Sequence, residues 1–211
     1  QTVELLAIGC STGGPNALAD LLPLLPPSPP VPIVIVQHMP PIFTRLLAER
    51  LSQKSGLRVR EATDGDVLEP GAAFMAPGNY HMVLSKEGLR TRVKLHQGPP
   101  ENSCRPAVDV LFRSVAPVFG ARTLAVVLTG MGQDGLRGCQ DIRSAGGRVL
   151  VQDEASSVVW GMPGAVATAG LADRVMPLHA LGAEISRRLA EGRQASRGKT
   201  DQHPITNGPV S

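Results

Sequence analysis

The chain has 211 residues, of which 42% are hydrophobic and only 3% aromatic, and its formal net charge is +3. This length suffices for one full-sized domain and is short for two. The low aromatic content and the scattered basic residues argue against a nucleic-acid-binding protein, which needs stacking platforms or a basic patch. No apolar stretch approaches the roughly 20 residues of a membrane-spanning helix, so we expect no membrane insertion.

The cysteines are three in number and include no Cys-x-x-Cys pair. An odd count without close pairing predicts reduced thiols and therefore a cytoplasmic protein. Cys104 lies in a polar loop with no obvious base beside it, and we predict that its thiol is a spectator. The histidines show no spacing typical of a metal site, so no metal is expected.

Apolar runs rich in β-branched residues alternate with helical patterns along the first part of the chain. The predicted elements are, in order, a strand at 3–8, a helix at 14–24, a strand at 31–37, a helix at 41–53 and a strand at 57–61. This βαβαβ alternation is typical of a parallel sheet whose faces are covered by helices.

The stretch 65–95 changes character, because glycines separate short apolar runs at 73–76 and 81–84. We interpret these runs as short antiparallel strands or hairpins inserted beside the main sheet. Alternation then resumes with a helix at 107–118, a strand at 123–128, a helix at 134–145, a strand at 148–151 and helices at 163–169 and 178–190.

These elements predict one α/β domain over residues 1–190. Its architecture is a doubly wound, mostly parallel sheet with helices on both faces and a small antiparallel hairpin insertion. Residues 191–211 lack apolar periodicity and are rich in small and polar residues, so they are predicted to be a flexible C-terminal tail.

The first predicted strand runs directly into Gly9-Cys10-Ser11-Thr12-Gly13-Gly14-Pro15. This segment matches the Gly-x-Ser-x-Gly elbow, in which the backbone turns sharply and presents a serine between a strand and a helix. The N-terminal amides of the following helix favour negative charge at Ser11. A serine at such a turn can instead be a helix N-cap or a phosphate ligand, so both interpretations stay open.

Polar side chains follow three of the predicted strands. Ser11 follows the first, His38 follows the second, and Asp134 lies just past the strand at 123–128. Because the carboxyl ends of parallel strands meet at one edge of a sheet, we expect these side chains to converge. A serine, a histidine and an aspartate are the parts of a hydrolase triad, although the chain order differs from that of the α/β-hydrolases.

In such a triad the imidazole takes the proton of the serine, and the carboxylate holds the imidazole in the correct tautomer. Candidate oxyanion donors are the backbone N–H groups of Thr12, next after the serine, and of Met131, between two glycines. Taken singly, His38 also fits a buried, hydrogen-bonded histidine, and Asp134 fits the N-cap of the next helix.

A competing pattern lies in the same segment. Gly130 to Gly135 fits Gly-x-Gly-x-x-Gly between a strand and a helix, and Asp153 ends the next strand about 20 residues later. This pattern predicts an NAD(P)-dependent oxidoreductase with a Rossmann-type site. Against it, Asp134 puts a carboxylate where a pyrophosphate would bind, and the unit comes late in the chain.

Taken together, six segments resemble the catalytic domain of the chemotaxis protein-glutamate methylesterases, the CheB family. They are 8–14 (IGCSTGG), 37–41 (QHMPP), 76–78 (APG), 105–109 (RPAVD), 128–135 (LTGMGQDG) and 161–163 (GMP). They occur in the family's order, and the resemblance covers about residues 3–190.

The resemblance implies an esterase that hydrolyses glutamate γ-methyl esters on the cytoplasmic helices of chemoreceptors, releases methanol, and in addition deamidates particular glutamines. It assigns Ser11 as the nucleophile, His38 as the base and Asp134 as the orienting acid. It places Thr12 and Met131 at the oxyanion hole. No metal or organic cofactor is implied.

Members of this family usually carry an N-terminal receiver domain of two-component signalling, whose phosphorylation relieves inhibition of the esterase. The chain begins almost directly with its first strand, so we expect it to be a fragment of such a protein. Two positions depart from the family pattern: Cys10 stands where alanine is frequent, and Ile42 stands where glycine is frequent. A further hypothesis is a catalytically silent module that binds receptor helices.

Overall fold

The structure, a computed structural model, describes residues 2–197. Its strands are β1 Leu5–Cys10, β2 Ile33–Gln37, β3 Arg58–Glu61, β4 Ala72–Met75, β5 His81–Glu87, β6 Arg90–His96, β7 Thr123–Val127, β8 Arg148–Gln152 and β9 Arg174–Met176. Its α-helices are α1 Gly14–Leu21, α2 Phe43–Ser55, α3 Val108–Phe119, α4 Leu136–Ser144, α5 Met162–Thr168 and α6 Leu178–Arg197.

Seven strands form one sheet in the order β3-β4-β2-β1-β7-β8-β9, and every neighbouring pair is parallel. The central strands β1, β2 and β7 are buried along their whole length, which explains their continuous apolar runs. The chain builds the sheet outward on one side of β1 and then returns to place β7 on the other side. Strands β1 and β7 therefore flank the topological switch point, where open α/β sheets bind ligands.

Side chains of β1 alternate between two cores. Leu6 and Ile8 face a cluster that includes residues of α1, α2 and α6. Leu5 and Ala7 face a second cluster, built with α3, α4, α5 and the β5–β6 hairpin. Because each face of the sheet is covered by its own helices, the predicted doubly wound α/β architecture with an antiparallel hairpin is confirmed.

One strand assignment was wrong. Of the run at 73–76, predicted as an antiparallel insertion, residues 73–75 lie in β4, which pairs in parallel with β2 and β3 inside the main sheet. The hairpin insertion consists of β5 and β6. The error has a physical reason: β4 is four residues long and fully buried, so its composition does not distinguish a short sheet-core strand from a hairpin strand. Strand β9, only three residues long, was not predicted.

The last helix, α6, extends to Arg197 and so continues past the predicted domain boundary at 190. The rest of the predicted tail, residues 198–211, lies outside the described residues. None of the helices in the described part of the chain is long and apolar enough to cross a membrane.

Candidate active site

Ser11 and His38 come directly after two neighbouring strands. Cys10 and Gln37, the last residues of β1 and β2, are paired in register, and the N–H of His38 donates to the carbonyl of Cys10 at 3.2 Å. The amide nitrogen of Gln37 donates to the carbonyls of both Ser11 and His38, at 3.0 and 3.1 Å. Since the Gln37 residue is only 2% exposed, this amide fixes the two turns against each other.

The turn after β1 is packed so tightly that two glycines are required. A Cβ on Gly14 would lie 1.9 Å from Oε1 of Gln37, and a Cβ on Gly130 would lie 2.9 Å from Cβ of Ser11. The N–H of Ser11 donates to the carbonyl of Thr129 at 3.0 Å. The segment that follows β7 therefore lies directly against Ser11, in a contact that only glycine permits.

The carboxylate of Asp134 holds His38. Oδ2 of Asp134 accepts a hydrogen bond from Nε2 of His38 at 2.6 Å, and the two side chains are 2% and 13% exposed. The same carboxylate accepts the N–H groups of Val108 and Asp109, at 2.7 and 2.9 Å, and the side-chain amide of Asn102 at 2.9 Å. Because Val108 and Asp109 begin α3, the charge of Asp134 lies at a helix N-terminus, where it is stabilised.

A second buried carboxylate, Asp109, makes the reciprocal contact. Its Oδ1 accepts the N–H groups of Gly135 and Gly138 at the start of α4, at 2.9 and 2.7 Å, and its Oδ2 accepts the Asn102 amide at 2.9 Å. Asp134 precedes α4 but binds the start of α3, whereas Asp109 lies in α3 and binds the start of α4. The interpretation of Asp134 as the N-cap of the helix it precedes is therefore wrong, and Gly135 occupies that position.

These two carboxylates, each in a residue only 1% exposed, have opposite pKa shifts. Burial by itself raises the pKa of Asp134, but hydrogen bonds from His38 and from two backbone amides outweigh it and hold the pKa below the usual value. Burial raises the pKa of Asp109, and its hydrogen bonds offset only part of this effect. Asp134 is therefore the carboxylate suited to stay ionised and orient an imidazole.

The other nitrogen of His38 contacts a thiol. Nδ1 lies 3.4 Å from Sγ of Cys104. Because the Nε2 proton is directed at Asp134, Nδ1 carries the lone pair and is the nitrogen that can accept a proton. The prediction that no base lies beside Cys104 is therefore wrong: the loop that carries it folds over His38. Burial, together with the charge of Asp134, raises the pKa of this thiol, which disfavours a nucleophilic thiolate.

The side chain of Ser11 makes no hydrogen bond to His38 within residues 2–197. Its hydroxyl must reach Nδ1 before a proton can pass between them, and in this structure Nδ1 contacts the thiol of Cys104. Catalytic hydrogen bonds often tighten only when substrate is bound. The structure thus brings His38 and Asp134 into contact and places Ser11 on the adjacent strand end.

The two candidate oxyanion donors lie in turns held by other groups. The carbonyl of Thr12 accepts the hydroxyl of Thr129 at 2.9 Å, and the carbonyl of Gly130 accepts the N–H groups of Gly161 and Met162. The N–H groups of Thr12 and Met131 themselves make no hydrogen bond to any described residue. Both N–H groups are therefore available to bind an oxyanion.

Ile42, at the start of α2, has a φ of +74°. A β-branched residue rarely adopts this conformation, whereas glycine adopts it without a steric penalty. The Ile42 residue is 64% exposed, so little burial compensates for the strain.

Two of the residues that the sequence left unassigned share one signal, a polar side chain within or directly after an apolar run. Gln37 ends the otherwise apolar strand β2, and Asp109 stands among apolar residues at the start of α3. Both are buried and hydrogen-bonded, as such positions require. Asn102 and Cys104 carry no comparable signal, because they lie in a polar loop.

Comparison with known proteins bears on this site. The model of the CheB methylesterase family matches residues 6–185. The chain belongs to the CheB methylesterase family. A protein-glutamate methylesterase/protein-glutamine glutaminase of Trichodesmium erythraeum is 63% identical over 187 residues, which cover 89% of this chain and 53% of that protein. One from Nocardioides sp. is 57% identical over 190 residues, covering 90% and 52%.

The crystal structure of the Thermotoga maritima CheB methylesterase catalytic domain superposes with a TM-score of 0.85 at 41% identity, over 90% of this chain and 99% of that one. The chain spans about half the length of the curated CheB relatives it matches. This membership lends no support to the oxidoreductase alternative. In the loop Gly130–Gly135, moreover, the Asp134 carboxylate is committed to His38 and to α3.

Proposed function

We propose that this CheB-family chain hydrolyses glutamate γ-methyl esters on the cytoplasmic helices of chemoreceptors, in the cytoplasm, and that it also deamidates glutamines there. The observation that carries the proposal is the contact of 2.6 Å between Asp134 and His38 at the strand end next to Ser11. The names of its relatives agree with this chemistry, since they are called protein-glutamate methylesterase/protein-glutamine glutaminase. We further propose that a receiver domain of two-component signalling precedes this domain in the full protein.

In the acylation step, Oγ of Ser11 attacks the ester carbonyl carbon and gives its proton to Nδ1 of His38. Asp134 stabilises the imidazolium that forms. The negative charge on the carbonyl oxygen is held by the N–H groups of Thr12 and Met131. When the tetrahedral intermediate collapses, the bond from carbon to the methoxy oxygen breaks, and methanol leaves with the proton returned by His38.

In the deacylation step, a water molecule gives a proton to His38 and attacks the acyl carbon. Collapse then breaks the bond to Oγ of Ser11, which regains a proton from His38, and the glutamate carboxyl group is released. With a glutamine substrate the same steps release ammonia in place of methanol. Both reactions therefore need one set of side chains and no cofactor.

The direct test is methanol release from methylated receptor. Replacing Ser11 with Ala should lower the rate by at least about a thousandfold, because the acyl-enzyme cannot form. Ser85→Ala, the same change in strand β5 of the hairpin, is the matched control and should keep the wild-type rate. Full activity of Ser11→Ala would remove the triad assignment.

Two other results would point to the alternatives. Receptor binding without methanol release by the wild-type chain would make it a silent binding module. If NAD(P) stabilises the wild-type chain against heat, and stabilises the Ser11→Ala variant equally, an oxidoreductase is favoured.

A further inference from the structure

A pocket of about 410 Å³ opens beside His38. Besides His38, it is lined by the segment Met39-Pro40-Pro41, by Asn79 and by the loop from Ser103 to Pro106. Among these lining residues there is no aspartate, glutamate or lysine, and Arg105 is the only arginine. The pocket therefore has a mixed apolar and neutral polar surface with one fixed positive charge.

The guanidinium of Arg105 is oriented by neutral groups alone. Its Nε and Nη2 donate to Oδ1 of Asn79 at 3.2 and 2.6 Å, and its Nη1 donates to the carbonyls of Gln97 and Gly98 at 3.3 and 3.1 Å. The N–H of Asn79 in turn donates to the carbonyl of Arg105 at 3.1 Å. These bonds hold the side chain in one place without reducing its charge.

No carboxylate of residues 2–197 forms an ion pair with Arg105. The nearby Glu101 is paired with Arg113, and the carboxylates of Asp109 and Asp134 are buried among their own donors. A guanidinium has five N–H groups, of which four are used here, and it stays charged at any physiological pH. One N–H of Nη2 thus remains to bind an anionic group.

On the basis of the proposed esterase function, we propose that this pocket binds an acidic side chain of the protein substrate through Arg105. The bound group is a glutamate or aspartate close to the esterified glutamate. In a helical substrate, residues three or four positions apart lie on the same face, with Cβ atoms about 5–6 Å apart. Because the pocket borders His38, the proposed complex places a carboxylate one turn from the ester in this pocket while the ester carbonyl faces Ser11. Arg105 is then a specificity-determining residue.

The experiment uses helical peptides with one glutamyl γ-methyl ester and either Glu or Gln three or four residues to either side. The readout is the ratio of kcat/KM for methanol release from each Glu peptide to that from its Gln match, so that a general loss of activity cancels. For the wild-type chain we expect a ratio of about five at one or more positions, as for a partly exposed ion pair. The ratio should fall as salt is raised.

Variants assign the effect to one residue. In Arg105→Gln the ratio should be near one, and in Arg105→Lys, which keeps the charge but loses the planar fork, it should be intermediate. Arg90→Gln removes the same charge at the far end of the β5–β6 hairpin, about 20 Å along the strand from His81, and should keep the wild-type ratio.

An undiminished ratio in Arg105→Gln, or a wild-type ratio near one at every position, would overturn the subsite. If Arg105→Gln does not fold, Arg105→Lys and the salt series provide the test. The subsite is then contradicted if the ratio of kcat/KM values changes neither in Arg105→Lys nor with added salt. If only intact receptor is hydrolysed, the Glu and Gln pairs are introduced there. Failure of the wild-type chain to release methanol from both peptides and receptor contradicts the proposed function instead, so the two failures are distinguishable.

Discussion

The two ends of the parallel sheet use charge in different ways. At the carboxyl end, the Asp134 and Asp109 residues are each 1% exposed, and their carboxylates accept four and three hydrogen bonds, respectively. At the amino end, Arg122 pairs with Glu4 at 2.5 Å, but the two side chains are 47% and 44% exposed. These two carboxylates at the carboxyl end are buried among hydrogen-bond donors, whereas the Arg122–Glu4 ion pair at the amino end lies in water.

This difference indicates where function lies. A buried carboxylate is unfavourable unless donors surround it, and such an arrangement persists where an ionised group is needed in one orientation. An exposed ion pair contributes little and constrains little. The contrast predicts that equal chemical changes at the two ends have very different consequences.

The largest effect is expected when each buried carboxylate becomes an amide. Asp134→Asn should lower kcat by about 10³–10⁴, because an amide cannot hold the His38 tautomer in the same way. Asp109→Asn is the matched control: it is equally buried and also binds a helix start, but it does not contact His38, so kcat should fall less than about tenfold. Both variants should lose about 1–3 kcal/mol of unfolding free energy.

Methanol release measures the first quantity and urea unfolding the second. Equal losses of kcat in the two variants would contradict the contrast between them and would show that both carboxylates act only as braces between α3 and α4.

An intermediate effect is expected in the pH dependence of stability. The pKa of Asp109 is raised by burial, so its contribution to stability is present below the unfolded pKa of about 3.9 and is lost as the pH rises through its folded value. Asp109→Asn removes this titration. The unfolding free energy of the variant should therefore improve relative to wild type as the pH rises above about 3.9.

Asp134 has the opposite sign, because its pKa is lowered. Its contribution to stability is present above about pH 3.9 and is lost as the pH falls through the pKa of the folded state. Asp134→Asn should therefore lose the most unfolding free energy, relative to wild type, at neutral pH. Urea unfolding of both variants across this pH range is the measurement. If the unfolding free energies of the two variants, relative to wild type, change with pH in the same way, the two carboxylates do not differ in environment.

The smallest effect is expected at the amino end. Glu4→Gln breaks the exposed pair with Arg122, whose guanidinium still donates to the carbonyls of Val118 and Phe119. The unfolding free energy should change by less than about 1 kcal/mol, and still less at high salt. The rate of methanol release should stay at the wild-type value. A loss of several kcal/mol of unfolding free energy in Glu4→Gln would contradict the proposed difference between the two ends of the sheet.

Much of the candidate site was predictable because its side chains follow the ends of strands. Ser11, His38 and Asp134 follow β1, β2 and β7, and parallel strands bring their carboxyl ends together whatever the details of packing. Gln37 was open to the same reasoning, since a single polar residue at the end of an apolar strand needs a buried partner. Asn102 and Cys104 were not, because a loop without periodicity takes its conformation from contacts with distant segments.

By itself, the sequence determined the alternation of most strands and helices, the α/β class and the residues that stand at strand ends, because apolar periodicity and glycine-containing turns act locally. Only the tertiary structure decided which nitrogen of His38 meets Asp134, that a thiol lies at the other nitrogen, and that β4 belongs to the main sheet. Those outcomes join groups up to 96 residues apart along the chain. The directions in which such side chains point are set by packing across the whole domain, which no local pattern encodes.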